Sequence, residues 1–165
     1  NMEPKIQSEV ARKIGIGATK YADLLPNRNT DYKFSWDKML ALQGNTAVYL
    51  MYAYTRFNSI IRKADDYSAD KVTFESLCED AEISLAKKLL SFGFILNTVA
   101  DEFRPNYLCN YLFELTTEIG SFYDKCPVLI SEGQVRMDRL GLCQVTCKTL
   151  KQGLLLLGIE TVERM

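Results

Sequence analysis

Apolar residues recur three and four positions apart over most of this chain and sustained alternation is rare, so the pattern predicts helices and no independent sheet. From Thr46 to about Lys63, Leu50, Ala53, Tyr54, Phe57 and Ile61 form one core stripe. Glu79 to Leu90 reads as a second helix, followed by a shorter one to Phe103. Pro105 suits the first turn of the next helix, where its missing N–H has no intrahelical partner to lose. That helix runs to near Asp124 and gathers Leu108, Tyr111, Leu112, Leu115, Ile119 and Phe122 on one face. Cys126-Pro127 marks a turn, and the loop through Gly133 leads to the last long helix, roughly Val135 to Leu157. There Leu140, Cys143, Cys147, Leu150, Leu154 and Leu157 make a bundle seam, and Gly158 is placed to end it. Upstream, Gly15 and Gly17 are expected to break the first helical stretch, and Pro26-Asn27-Arg28-Asn29 to form a turn. The predicted class is an all-α helical bundle.

Composition narrows the chemistry. At 165 residues and 47% apolar, the chain can bury one sizeable core without a metal or disulfide. Five cysteines form no CxxC pair, and their odd number suits reduced thiols in an intracellular, cytoplasmic protein. Cys143 and Cys147, four apart, are expected to pack in the core, because two sulfurs alone do not complete a zinc site. The absence of histidine excludes an imidazole base and histidine-ligated metals. No apolar run reaches the length of a membrane span, and the opening Asn1-Met2 reads as a cloning remnant ahead of an internal start. No phosphate-binding glycine loop, nucleophile elbow or metal-spaced carboxylate set is present, so no catalytic residue and no cofactor are expected in this chain. The neighbouring pairs Asp65-Asp66 and Glu79-Asp80 are read as solvated charge or helix-start residues.

Charge is uneven although the total is near zero. Residues 1–63 hold ten Lys/Arg against five Asp/Glu, together with Tyr21, Tyr32, Tyr49, Tyr52, Tyr54 and the sole tryptophan, Trp36. Cations among aromatic rings suit unpaired nucleic acid, since cations meet phosphate and rings stack on bases; they equally suit a solvated face over an aromatic core. Tyr49, Tyr52 and Arg56 cluster about 130° around their helix from the core stripe. They form either a base-stacking surface or a patch packed under the segment near Trp36, with Arg56 in a structural ion pair.

Three collinear stretches carry a resemblance. They are Gly15-Ile16-Gly17-Ala18-Thr19-Lys20-Tyr21-Ala22-Asp23-Leu24, Asp31 through Leu40, and Gly44-Asn45-Thr46 running into Tyr49-Leu50-Met51-Tyr52-Ala53 and Arg56. Together with Tyr111-Leu112-Phe113-Glu114-Leu115, Phe122-Tyr123-Asp124, Arg139-Leu140, Leu156 through Ile159 and the closing Val162-Glu163-Arg164-Met165, they resemble arginyl-tRNA synthetase over nearly the whole chain. The resemblance implies a carboxy-terminal helical anticodon-binding domain of the class I synthetase type, named for a short Asp-Ala-Leu-Arg motif. Residues 1–30 would be the connector from an absent catalytic domain, and residues 31–165 the helical domain. The nearest segment to the naming motif, Asp138-Arg139-Leu140, is assigned a packing role.

By matching position, the resemblance places anticodon contacts on Tyr49, Tyr52, Arg56, Tyr123 and Met165, with Gly44, Asn45 and Thr46 in the segment facing the anticodon loop. Where the family commonly has Gly-Pro before the first tyrosine, this chain has Ala47-Val48. The implied partners are arginine tRNA, through its anticodon arm, and the parent's own catalytic domain, with no membrane; the parent would use ATP and magnesium to ligate arginine. Every arginine anticodon has a central cytosine, so one pocket can test that base. The contrasting reading is a helical protein-interaction module that uses the same tyrosine-rich surface without RNA.

Overall fold

The computed structural model describes residues 2–33, 35–64, 67 and 73–165. Asp65 and Asp66 lie outside them. Among the described residues there are seven helices and no strand: α1 (Pro4–Leu24), α2 (Trp36–Met39), α3 (Ala47–Lys63), α4 (Asp80–Leu90), α5 (Phe92–Glu102), α6 (Pro105–Lys125) and α7 (Gly133–Leu156). The expected all-α bundle is observed. Its centre is α3 packed on α7, with α4 and α6 alongside and α1 laid across α3 and α6. Leu50, Met51, Phe57, Leu85, Leu112, Leu115, Phe122, Leu140 and Leu150 are fully buried there. Ile60 rather than Ile61 completes the buried stripe of α3.

One expectation is overturned. Gly15 and Gly17 do not break the first helix: α1 continues through both to Leu24. Gly17 serves close packing instead, because a Cβ there would lie 2.5 Å from Met51 Cε and 3.0 Å from Ile159 Cγ2. Gly153 of α7 plays the same part against Leu112 Cδ2, at 2.6 Å. By contrast Gly158 ends α7 as expected. At φ +71° it directs its own N–H to the Leu155 carbonyl, and the N–H of buried Ile159 to that of Leu154. These bonds satisfy carbonyls that a helix end otherwise leaves unpaired.

Within residues 80–102, which Lys87 and Lys88 interrupt, one window has a mean hydropathy of 1.3, enough by length and composition alone to cross a membrane. The structure divides this stretch at Ser91 into α4 and α5. Ala81, Glu82 and Leu85 of α4 are buried, whereas α5 buries no residue completely and leans on α6. The Tyr111 hydroxyl donates to the Lys88 carbonyl at 2.9 Å and ties the α4 end to α6.

A buried polar network joins α4 and α7 where the sequence suggested packing alone. Arg139 Nε donates to Glu82 Oε1 at 2.6 Å, and its Nη1 donates to the Pro127 carbonyl and Ser131 Oγ. Glu82 Oε2 accepts the N–H groups of Cys78 and Glu79, and Asp138 accepts those of Glu75 and Ser76. Burial raises the Glu82 carboxyl, but the Arg139 guanidinium and the two backbone N–H groups together outweigh it and hold the group below its ordinary value.

Candidate functional site

Thr46 starts α3 by accepting the Tyr49 N–H at 3.2 Å, and its hydroxyl donates to the Ala41 carbonyl at 2.8 Å, which closes the preceding loop. Gly44 takes φ +85° within that loop, a backbone conformation that disfavours side chains. The next residue, Asn45, is the anchor: its amide lies 2.6 Å from the Tyr21 hydroxyl of α1 and 3.4 Å from the Asn110 amide of α6. Tyr21 also donates to the Cys109 carbonyl at 2.8 Å. Ala47 and Val48 are buried, so the loop is fixed by packing and side-chain bonds.

Downstream of that anchor, α3 and α6 run in the same direction. Tyr49 meets Phe113 with ring centroids 6.4 Å apart, and farther along, buried Phe57 meets Phe122 at 5.7 Å. On the exposed side of that core contact, the Arg56 guanidinium carbon sits 3.7 Å from the Tyr123 ring centroid and 5.5 Å from that of Tyr52. Among the described residues Arg56 makes no ion pair, and its partners are the two rings. Tyr52 is 46% exposed and Tyr123 42% exposed. Helix α3 also carries Arg62 and Lys63 and no acidic residue. The arrangement is a cation clamped between two half-open rings, which can stack on a flat π system while the guanidinium meets an anion.

Tyr49, Tyr52, Arg56 and Tyr123 thus share the α3–α6 edge, and Gly44, Asn45 and Thr46 form the loop at its start. Met165 is not part of this cluster. Its tail is fixed to another side of α3, where Glu163 accepts from Asn58 Nδ2 at 2.7 Å and its carbonyl accepts from Arg62. Asn58 lies about 160° around the helix from Arg56. Met165 lines an 870 Å³ groove with Met2, Ile6, Lys151 and Leu155. Phe113, Asn110 and Tyr21 are supporting residues; Phe113 and Tyr21 stood in the sequence only within longer patterns and Asn110 in none, because their roles are pairings across elements with no local signal.

Comparison with known proteins shows the family and the fold. The family described as the DALR anticodon binding domain matches residues 50–165. An arginine–tRNA ligase of Synechococcus sp. is 53% identical over 164 residues, covering 98% of this chain and 28% of the relative. One from Chromobacterium violaceum is 51% identical over 157 residues, covering 95% of this chain and 27% of the relative. Among solved structures, the Thermus thermophilus arginyl-tRNA synthetase matches with a TM-score of 0.88 at 32% identity, over 95% of this chain and 27% of that one. The Plasmodium falciparum arginyl-tRNA synthetase matches with a TM-score of 0.84 at 35% identity, over 95% of this chain and 28% of that one. The chain spans about 28% of the length of the curated relatives it matches.

Proposed function

Because this chain belongs to the DALR anticodon-binding domain family, we propose that it reads the anticodon arm of arginine tRNA for a longer arginine–tRNA ligase. The observation that carries the reading is the Arg56 guanidinium held 3.7 Å over the Tyr123 ring with Tyr52 beside it, all at the open edge of α3 and α6. Unpaired bases stack on such rings, and a guanidinium meets phosphate as a planar donor. A splayed cytosine adds an amino donor and two acceptors, which tyrosine hydroxyls and backbone groups can satisfy.

In this reading the chain recognises and positions RNA, and ligation itself, with ATP and magnesium, belongs to parts of the parent outside it. Residues 1–30 are read as the connector toward the parent's catalytic domain, and their first part is the freest of the bundle. No described residue before Gly17 is buried, whereas Gly17, Ala18 and Tyr21 are docked in the bundle.

The test is binding of this chain to anticodon stem-loops of arginine tRNA carrying cytosine or uracil at the central position, across monovalent salt concentrations. Preference for cytosine, with affinity falling steeply as salt rises, is expected because phosphate contacts release counterions. No preference between the two loops, or an affinity indifferent to salt, would point to the protein-interaction alternative.

A further inference from the structure

We infer that Gly120 of α6 is a specificity-determining position, whose missing side chain leaves a notch beside Tyr52, Arg56 and Tyr123 that admits one unpaired base. The inference rests on the anticodon-binding reading and adds to it a residue and a physical reason. Glycine inside a helix is unfavourable relative to alanine, so each such glycine calls for an account. Gly17 and Gly153 have one, since a methyl group at either would collide with Met51 or Leu112. Gly120 has none within the protein: a Cβ there meets no atom within 4 Å, and its φ is not positive.

Its place on the helix supplies the account. At 100° per residue, Gly120 lies about 20° from Phe113 and about 60° from Tyr123 around α6, on the edge that faces α3. Phe113 is fixed against Tyr49 at one end of this edge, and Tyr123 against Arg56 at the other. Tyr52 stands between these two contacts on α3, about one turn before Arg56. A side chain at 120 would project into the open space beside Tyr123 at this edge; its absence lets a flat base slide onto the exposed rings and bring its edge to the α6 surface. Two other helix glycines, Gly15 and Gly93, are equally open, but they belong to α1 and α5, away from this edge.

The experiment compares Gly120→Ala, Gly120→Leu and, as a control, Gly93→Leu with the unmodified chain. Affinity is measured for anticodon stem-loops with cytosine or uracil at the central position, at fixed salt, alongside thermal melting. Gly120→Leu is expected to melt at or above the unmodified chain, to bind the cytosine loop about 10-fold more weakly, the size of one lost stacking contact, and to lose most of its preference over uracil. Gly120→Ala should shift in the same direction by less, and Gly93→Leu should bind normally. The proposal is overturned if Gly120→Leu keeps both affinity and preference, if both Gly120 variants melt early, or if Gly93→Leu loses as much. Absence of cytosine preference in the unmodified chain overturns the anticodon reading and this proposal together. Normal preference in both the unmodified chain and Gly120→Leu overturns this proposal alone.

Discussion

Arg139 of α7 and Glu82 of α4 meet across 2.6 Å in the interior, with the Arg139 side chain 10% exposed and the Glu82 side chain 3% exposed. Each has further bonds that hold it there, Arg139 to the Pro127 carbonyl and Glu82 to the N–H groups before α4. Removing one partner leaves the other charged and buried. Arg139→Met is therefore expected to destabilise the fold by ~3–5 kcal/mol, read by urea unfolding, while folded molecules keep their RNA affinity.

The same pair sets an acid limb. Glu82 titrates below its ordinary value in the folded chain, so its contribution is present above the unfolded carboxylate pKa of about 4.3 and is lost as pH falls through the lower folded value. The stability gap between the unmodified chain and Glu82→Gln should therefore be full at neutral pH and narrow as pH drops below about 4. A gap that stays constant with pH would show that the carboxylate charge is not what stabilises α4 on α7.

Arg56 lies off the buried stripe and pairs with rings rather than carboxylates. Arg56→Ala should lower stability by no more than ~0.5–2 kcal/mol, the worth of its cation–π contacts, yet weaken binding of the arginine anticodon arm several-fold or more. Arg56→Lys, which keeps the charge but not the planar fork, should recover only part of that loss. Melting and binding on the same preparations separate these effects. A collapsed melting midpoint with unchanged affinity per folded molecule would reject the recognition role.

Tyr123→Ala removes the ring on which Arg56 rests and should cost ~1–3 kcal/mol of RNA binding, with reduced preference for central cytosine. Deletion of Met165 should weaken binding less, because that residue lies with the amino end of α1 and not among the rings. Equal losses from the two variants would mean that the tail rearranges onto the ring cluster when RNA binds.

The four buried cysteines should be inert. Burial pushes the Cys109 and Cys147 thiols up to about 12, and raises Cys126 and Cys143 as well. Cys78 is exposed. A thiol-selective alkylating reagent at neutral pH should label one cysteine per native molecule and all five after denaturation, as counted by intact mass.

Helix existence was legible because Leu108 through Phe122 and Leu140 through Leu154 repeat at helical spacing, a property of the chain alone. Tyr49, Tyr52 and Arg56 were legible as a cluster for the same reason, since one helix carries all three. What the pattern could not convey was anything settled between helices. Gly17 looks like a breaker until Met51 and Ile159 press against it, and Arg139 has only a packing role until Glu82 of another helix is placed beside it. Tyr123 reached the site by resemblance; its contact with Arg56 depends on α3 and α6 lying side by side. Nothing in the pattern placed Met165, because a tail without periodicity has no face to read, and its course is set by the bonds of Glu163 to α3.

The common direction of α3 and α6 has a kinetic consequence. Two helices pointing the same way cannot be joined by a tight turn, so the chain passes through α4 and α5 before Tyr123 can reach Arg56. Contacts distant along the chain are entropically costly to close and form slowly. A molecule collapsed only around α1 and α3 has Tyr52 and Arg56 but lacks the second ring. The clamp is complete only when α6 has docked, so under the proposed function RNA competence would signal finished assembly, and half-folded chains would not compete for the same RNA.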